Sequence, residues 1–104
     1  MDERAFSSYN KLVIEWHERK RATNLAKHGL DFADAWQVYE SSAKITFESA
    51  RKGEVRKLDV APIEGLMLAF VYAERGSRAR AISLRRASRA ERRLYGKAIG
   101  KEPY

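Results

Sequence analysis

Hydrophobic and polar positions change period several times along the chain, and each change predicts an element. Residues 1–11 follow no steady period and read as a flexible lead-in to a single domain over 12–104. Leu12 to Trp16 is a short β-branched and aromatic run, the pattern of a first strand. From Glu18 to His28 the spacing turns helical, with Ala22, Leu25 and Ala26 at i, i+3 and i+4. Gly29 follows, a residue that ends helices because positive φ costs it little. Asp31 is then placed as an N-cap, and Phe32, Ala35, Trp36 and Tyr39 form the stripe of a second short helix. Trp16 and Trp36 are assigned to the core.

The period then shortens. Ala43–Glu48 and Val55–Ala61 are strands separated by a turn at Arg51-Lys52-Gly53-Glu54. After Pro62, Glu64 and Gly65, the most apolar run, Leu66–Glu74, predicts a central strand. Gly76 and Ser77 lead into a last strand over Arg78–Arg85. Short turns of this kind join antiparallel neighbours. In the last strand Ile82 and Leu84 are the expected core pair, which sends Arg85 to the open face and Arg80 to the other. Ser88-Arg89-Ala90-Glu91 is a capping box that opens a helix with Ala90, Leu94 and Ala98 on one stripe. The order β-α-α-β-β-β-β-α predicts an α+β domain: an antiparallel sheet, two N-terminal helices and a C-terminal helix, all on one side.

Charge sharpens this picture. The 104 residues carry a net charge of +7, yet residues 75–101 alone hold ten Lys or Arg against the single acid Glu91. That segment is therefore +9 and the remainder 7 − 9 = −2. Eight of the ten are Arg, whose planar fork suits phosphate oxygens. Such a flank attracts polyanions, nucleic acid above all, although it can also be a solvated face laced with salt bridges. The absence of cysteine excludes a disulfide framework, a thiolate metal site and a cysteine nucleophile. The longest apolar stretch, Leu66–Ala73, is far short of the roughly 20 residues that cross a bilayer. Met1-Asp2-Glu3-Arg4 lacks the basic start of a signal peptide. The expectation is a cytoplasmic protein with no membrane contact.

Candidate chemistry narrows by elimination. His17 and His28 have no carboxylate pair at ligand spacing, the glycines are scattered singly, and no nucleophile elbow is present. No metal and no cofactor is expected. Arg, Lys, Tyr and His remain, which is the kit for cutting RNA through its own 2′-hydroxyl. That reaction needs a base, an acid and donors for charge building on the phosphoryl oxygens. His28 beside Lys27 is a natural proton shuttle, or else a capping donor at the helix end. Arg80 is either a phosphate contact or half of an edge salt bridge. Tyr72 and Tyr95 could stack on bases or donate a proton, or simply fill the core.

Four segments, taken together, resemble the BrnT family of bacterial toxin–antitoxin ribonucleases. They are Ile14-Glu15-Trp16 with Lys20, Asn24 and Lys27-His28-Gly29-Leu30-Asp31-Phe32; Gly53-Glu54-Val55-Arg56; Val71-Tyr72-Ala73-Glu74-Arg75; and Arg80–Ser83 with Arg85-Arg86-Ala87 and Glu91-Arg92-Arg93-Leu94-Tyr95. The resemblance spans about residues 12–95, with His17 standing where the family usually has Asp. It implies a RelE-like fold, metal-independent RNA cleavage that inhibits translation, and a catalytic set of Arg56, Arg85 and Tyr95, to which the residues themselves add Lys27 and His28. Arg75, Arg80, Arg86 and Tyr72 are the expected RNA-binding residues. The implied partners are RNA, mRNA in particular, and a cognate antitoxin, a ribbon-helix-helix repressor, held in a hetero-oligomer. Two other classes compete: a basic nucleic-acid-binding module that never cuts, and an arginine face that only docks an acidic partner.

Overall fold

Three tight turns organise the centre of the molecule. The computed structural model describes residues 13–100 and the backbone of Arg4–Phe6. In it β3 (Ile45–Arg51), β4 (Glu54–Ile63), β5 (Leu66–Arg75) and β6 (Arg78–Arg86) follow one another as antiparallel hairpins with two-residue links. At the first link Lys52 and Gly53 take φ of 52° and 75°, the left-handed pair that matches the twist of the flanking strands. Strand β4 outruns its expected end and includes Pro62, which pairs with Met67. Proline is tolerated there because β3 ends at the Ile45–Val60 pair, so no third strand needs the missing N–H.

The expected antiparallel sheet is in fact mixed. β2 (Ile14–His17) lies parallel to β6, and the six strands run in the order β1-β2-β6-β5-β4-β3, with β1 being Arg4–Phe6. No hairpin joins β2 to β6; the chain returns through three other strands first, and local periodicity carries no trace of that meeting. Most of the lead-in expected over 1–11 lies outside the described residues. Of that stretch, the backbone of Arg4–Phe6 pairs with β2.

Helices cover both faces, not one. On the first, Phe70, Tyr72, Ala61, Ala81 and Leu84 pack beneath Phe32, Ala35 and Val38. Those three come from a 3-10 turn (Phe32–Asp34), Ala35 and the one-turn helix α2 (Trp36–Tyr39), which together replace the single second helix read from the stripe. Asp31 caps the turn as expected, accepting from the Ala33 N–H at 2.9 Å. Trp16 is buried and Trp36 packs against the same core. On the opposite face Val60 and Ala69 meet Ala87 and Tyr95, the tyrosine brought by α3 (Arg89–Ile99), whose capping box at Ser88 and Glu91 is complete.

Both long helices turn their predicted apolar stripes outward. In α1 (Glu18–His28), Ala22, Leu25 and Ala26 are exposed, and Asn24 is its one buried residue. β2 stops pairing with β6 at Arg80, leaving the edge of β6 open at Leu84. The Asn24 side chain takes the place of a strand there. Its Nδ2 donates to the Leu84 carbonyl at 2.8 Å and to that of Leu30 at 2.9 Å, and its Oδ1 accepts from the Leu84 N–H at 3.1 Å. The helix is thus fastened by a polar residue, which a hydrophobic pattern cannot reveal. His17 serves as its N-cap, its Nδ1 accepting from the Arg19 N–H at 3.3 Å. In α3 the large Tyr95 takes the inward position in place of Ala90, Leu94 and Ala98.

Candidate functional site

A one-residue irregularity decides where the arginines point. Val71 pairs with Ser83, but the next residue, Tyr72, pairs with Ala81, so Ile82 is the extra residue of a β-bulge. Alternation is reset at that point. Ala79, Ala81 and Leu84 enter the core, while Arg80, Ser83 and Arg85 share the opposite face. This corrects both the expected Ile82–Leu84 core pair and the placing of Arg80 away from Arg85.

Arg56 lies on that same face. It pairs with Ala73, and Ala73 with Arg80, which makes one row across three strands with a small residue in the middle. Both guanidiniums reach Glu54: Arg56 Nε at 3.2 Å and Arg80 Nη2 at 3.5 Å, with Arg75 Nη2 farther out at 3.8 Å. Three cations around one carboxylate leave an excess of positive charge. Arg85 is apart from them. Its partner Ala69 is four residues from Ala73 along β5, about 13 Å at the rise of an extended strand. Arg56 and Arg85 therefore share a face but do not meet at one phosphate.

Arg85 is also engaged. Its Nη1 and Nη2 grip the two Glu91 oxygens at 2.8 and 2.9 Å, the bidentate geometry that makes such pairs strong. Arg85, and after it the Ser88 N–H, holds the Glu91 carboxyl at about 2 against an ordinary 4.5. A depressed acid contributes stability above its unfolded pKa and loses it as pH falls towards the folded one. Thermal melts should therefore show an extra loss of stability between pH 4.5 and about 2, and Glu91→Gln should remove that part of the acid dependence. An identical acid profile in the variant would contradict the pairing.

The tyrosines are structural. Tyr95 is buried and donates its hydroxyl to the Ala43 carbonyl at 2.8 Å. Tyr72 is buried against Phe70 and Tyr39 and donates to the equally buried Asp59 at 3.2 Å. Burial, then the Asp59 carboxylate, pushes the Tyr72 phenol far up. Neither hydroxyl reaches an open surface, which corrects the expected roles in proton donation and base stacking. Tyr95→Phe should cost about 1 kcal/mol of stability and leave RNA cleavage within twofold of the parent, read from chemical denaturation and a cleavage assay. Arg86 is exposed, and with Arg92 it lines a separate groove beside Leu66 and Met67 at the β4–β5 turn.

Lys27 and His28 belong to a different concavity, between α1 and the edge of β6. The groove measures about 390 Å³ and is walled by Arg19, Lys20, Thr23, Asn24, Lys27 and His28, with Ile82 and Ser83 opposite. No acid lines it. Among the described residues no ion pair holds Arg19, Lys20, Lys27 or His28. The capping alternative for His28 does not apply. Gly29, at φ 72°, makes the capping bond with its own N–H, at 2.8 Å from the Leu25 carbonyl. Ser83 joins the two regions, since it lines this groove and stands between Arg80 and Arg85 on the sheet face. Reasoning on sequence passed over Arg19, Lys20 and Thr23 as wall residues. Lys20, Asn24, Lys27 and His28 at i, i+4, i+7 and i+8 already mark one helix face.

Among the described residues no group of three His, Cys, Asp or Glu side chains could hold a metal ion, and no helix is long and apolar enough to cross a membrane. No curated protein matches the sequence. The family model described as the ribonuclease toxin BrnT of type II toxin–antitoxin systems matches residues 16–91. That match takes in the groove on α1, the arginine row and the bulged strand, and it covers well over half of the chain: this protein belongs to the BrnT family of ribonuclease toxins.

Proposed function

We propose that the chain cuts single-stranded RNA at the groove between α1 and β6, without metal, using the RNA's own 2′-hydroxyl. The observation that carries this reading is a groove of Arg19, Lys20, Lys27 and His28, lined by no acid among the described residues, that opens beside Ser83 and next to a sheet face carrying Arg80, Arg85 and Arg56. RNA enters across the arginine row, where Arg56, Arg75 and Arg80 hold a neighbouring phosphate. At the scissile phosphate His28 accepts the 2′-hydroxyl proton. The new oxygen–phosphorus bond closes a 2′,3′-cyclic phosphate while the bond to the 5′-oxygen breaks. The Lys27 ammonium gives that leaving oxygen its proton, and Lys20 and Arg19 offset the charge that builds on the phosphoryl oxygens. Arg85 faces the same path and joins it when a phosphate competes with Glu91; Arg86 extends the basic surface at its far end.

The fold is read as RelE-like, mRNA as the target, and loss of translation in the cytoplasm as the consequence. A cognate ribbon-helix-helix antitoxin neutralises the protein in a hetero-oligomer. The test is purified, antitoxin-free chain incubated with naked RNA in the presence of EDTA. The expected result is cleavage to 2′,3′-cyclic ends, abolished by a 2′-deoxy substitution at the cut. Arg56→Ala and Arg80→Ala should weaken RNA binding, each lowering the magnitude of the salt slope of log K by about 0.7 if it loses one phosphate contact. Salt-sensitive binding without any product would identify the non-cutting module, and cleavage blocked by EDTA would remove the metal-free mechanism.

A further inference from the structure

Helix α3 carries a surface that the cleavage chemistry leaves unused. Ala90, Leu94 and Ala98, spaced i, i+4 and i+8, all face solvent, and Leu94 is 48% exposed. Arg89, Arg93 and Lys97 form a second row of the same spacing beside the first, also exposed. At 100° per residue the cations span one sector of the helix and the apolar row the adjoining one, with Tyr95 and Gly96 turned to the core. Each row is two turns long, about 12 Å. Among the described residues no acid pairs with Arg89, Arg93 or Lys97.

A solvated helix face normally mixes acids with bases. Here, among the described residues, three cations run unopposed beside an exposed leucine. That is the complement of an amphipathic helix with an apolar seam flanked by carboxylates, the pairing that coiled coils make at their core and flanking positions. Phosphate alone would match the cation row and leave Leu94 unexplained. We propose that α3 is the docking surface for an acidic amphipathic helix of a protein partner, which lays its apolar seam over Leu94 and its carboxylates on Arg89, Arg93 and Lys97. This rests on the antitoxin reading above, and it assigns that partner an acidic helix as its contact. Docking on α3 leaves Lys27 and His28 on a different element, so partner binding and RNA cleavage are separable by mutation.

The experiment titrates the full chain with the purified protein encoded by the reading frame beside its own gene, followed by calorimetry. Leu94→Glu places a carboxylate in the apolar seam, and Arg93→Glu reverses the middle cation. Each is expected to weaken binding at least tenfold, while melting temperature and the rate of cutting naked RNA stay at the parental values. Parental affinity in both variants overturns the surface while leaving an antitoxin bound elsewhere. Loss of RNA affinity in Arg93→Glu with unchanged partner binding also overturns it and gives the row to RNA. If the parent chain binds no neighbouring product at all, both the docking surface and the antitoxin reading fall together.

Discussion

His28→Ala is expected to slow RNA cleavage by about 10²–10⁴-fold, the range associated with losing a positioned acid or base. His28 is half-buried in the wall of the α1 groove, beside Lys27 and across from Ser83. The adjacent glycine already terminates the helix through its own N–H, so removing the imidazole breaks no capping bond. The effect should fall on kcat, with RNA affinity changed little because Arg19, Lys20 and Lys27 keep the positive charge of the groove. Single-turnover cleavage with bound fraction measured in parallel separates the two. His28→Gln keeps hydrogen bonding without proton transfer, so it should be as slow as Ala. A variant that cuts at the parental rate would take proton transfer away from this residue.

Asn24→Ala should be the most destabilising of the substitutions considered. The side chain satisfies the N–H and carbonyl of Leu84 together with the Leu30 carbonyl, and a buried polar group left without a partner costs about 1–3 kcal/mol. A loss of about 3 kcal/mol follows, and in a domain of this size each kcal/mol lowers Tm by roughly 4–8 °C. Asn24→Asp should be no better despite its shape, since it keeps the acceptor for the Leu84 N–H and turns a second oxygen on two carbonyls. Cleavage should fall as well. Little apolar burial holds α1 to the sheet, so loosening this contact displaces Lys20, Lys27 and His28 together. Thermal melts of the two variants check the first point, and an unchanged Tm in Asn24→Ala would contradict the fastening described.

Much of the local structure was legible in the residues. Helix α1 ends at Gly29, the Lys52–Gly53 turn falls between β3 and β4, and α3 opens on Ser88 and Glu91 as read, because caps and tight turns depend on neighbours in sequence. The segments that pointed to a BrnT ribonuclease were equally legible, and the family match confirms them. The candidate site was legible only in part. Lys27 and His28 stand in an open basic groove, and Arg56 and Arg80 in one row, yet Arg56 and Arg85, expected in one catalytic set, share a face without meeting. Tyr72 and Tyr95 were misplaced because a tyrosine suited to stacking on a base is equally suited to a core with an acceptor at its edge.

The chain by itself determined where backbone direction changes, which segments form the two long helices and every strand after the first, and that positive charge gathers in the last third. Tertiary structure decided which face each side chain occupies. One extra residue at Ile82 reverses the alternation of β6 and sets Arg80 on the same face as Ser83 and Arg85. The parallel contact of β2 with β6 stops early enough for Asn24 to complete the sheet edge and fix α1 as the wall of the groove. A period of two or of 3.6 describes a segment relative to itself. Bulges, sheet edges and long-range hydrogen bonds depend on a partner that the segment meets only after the rest of the chain has folded.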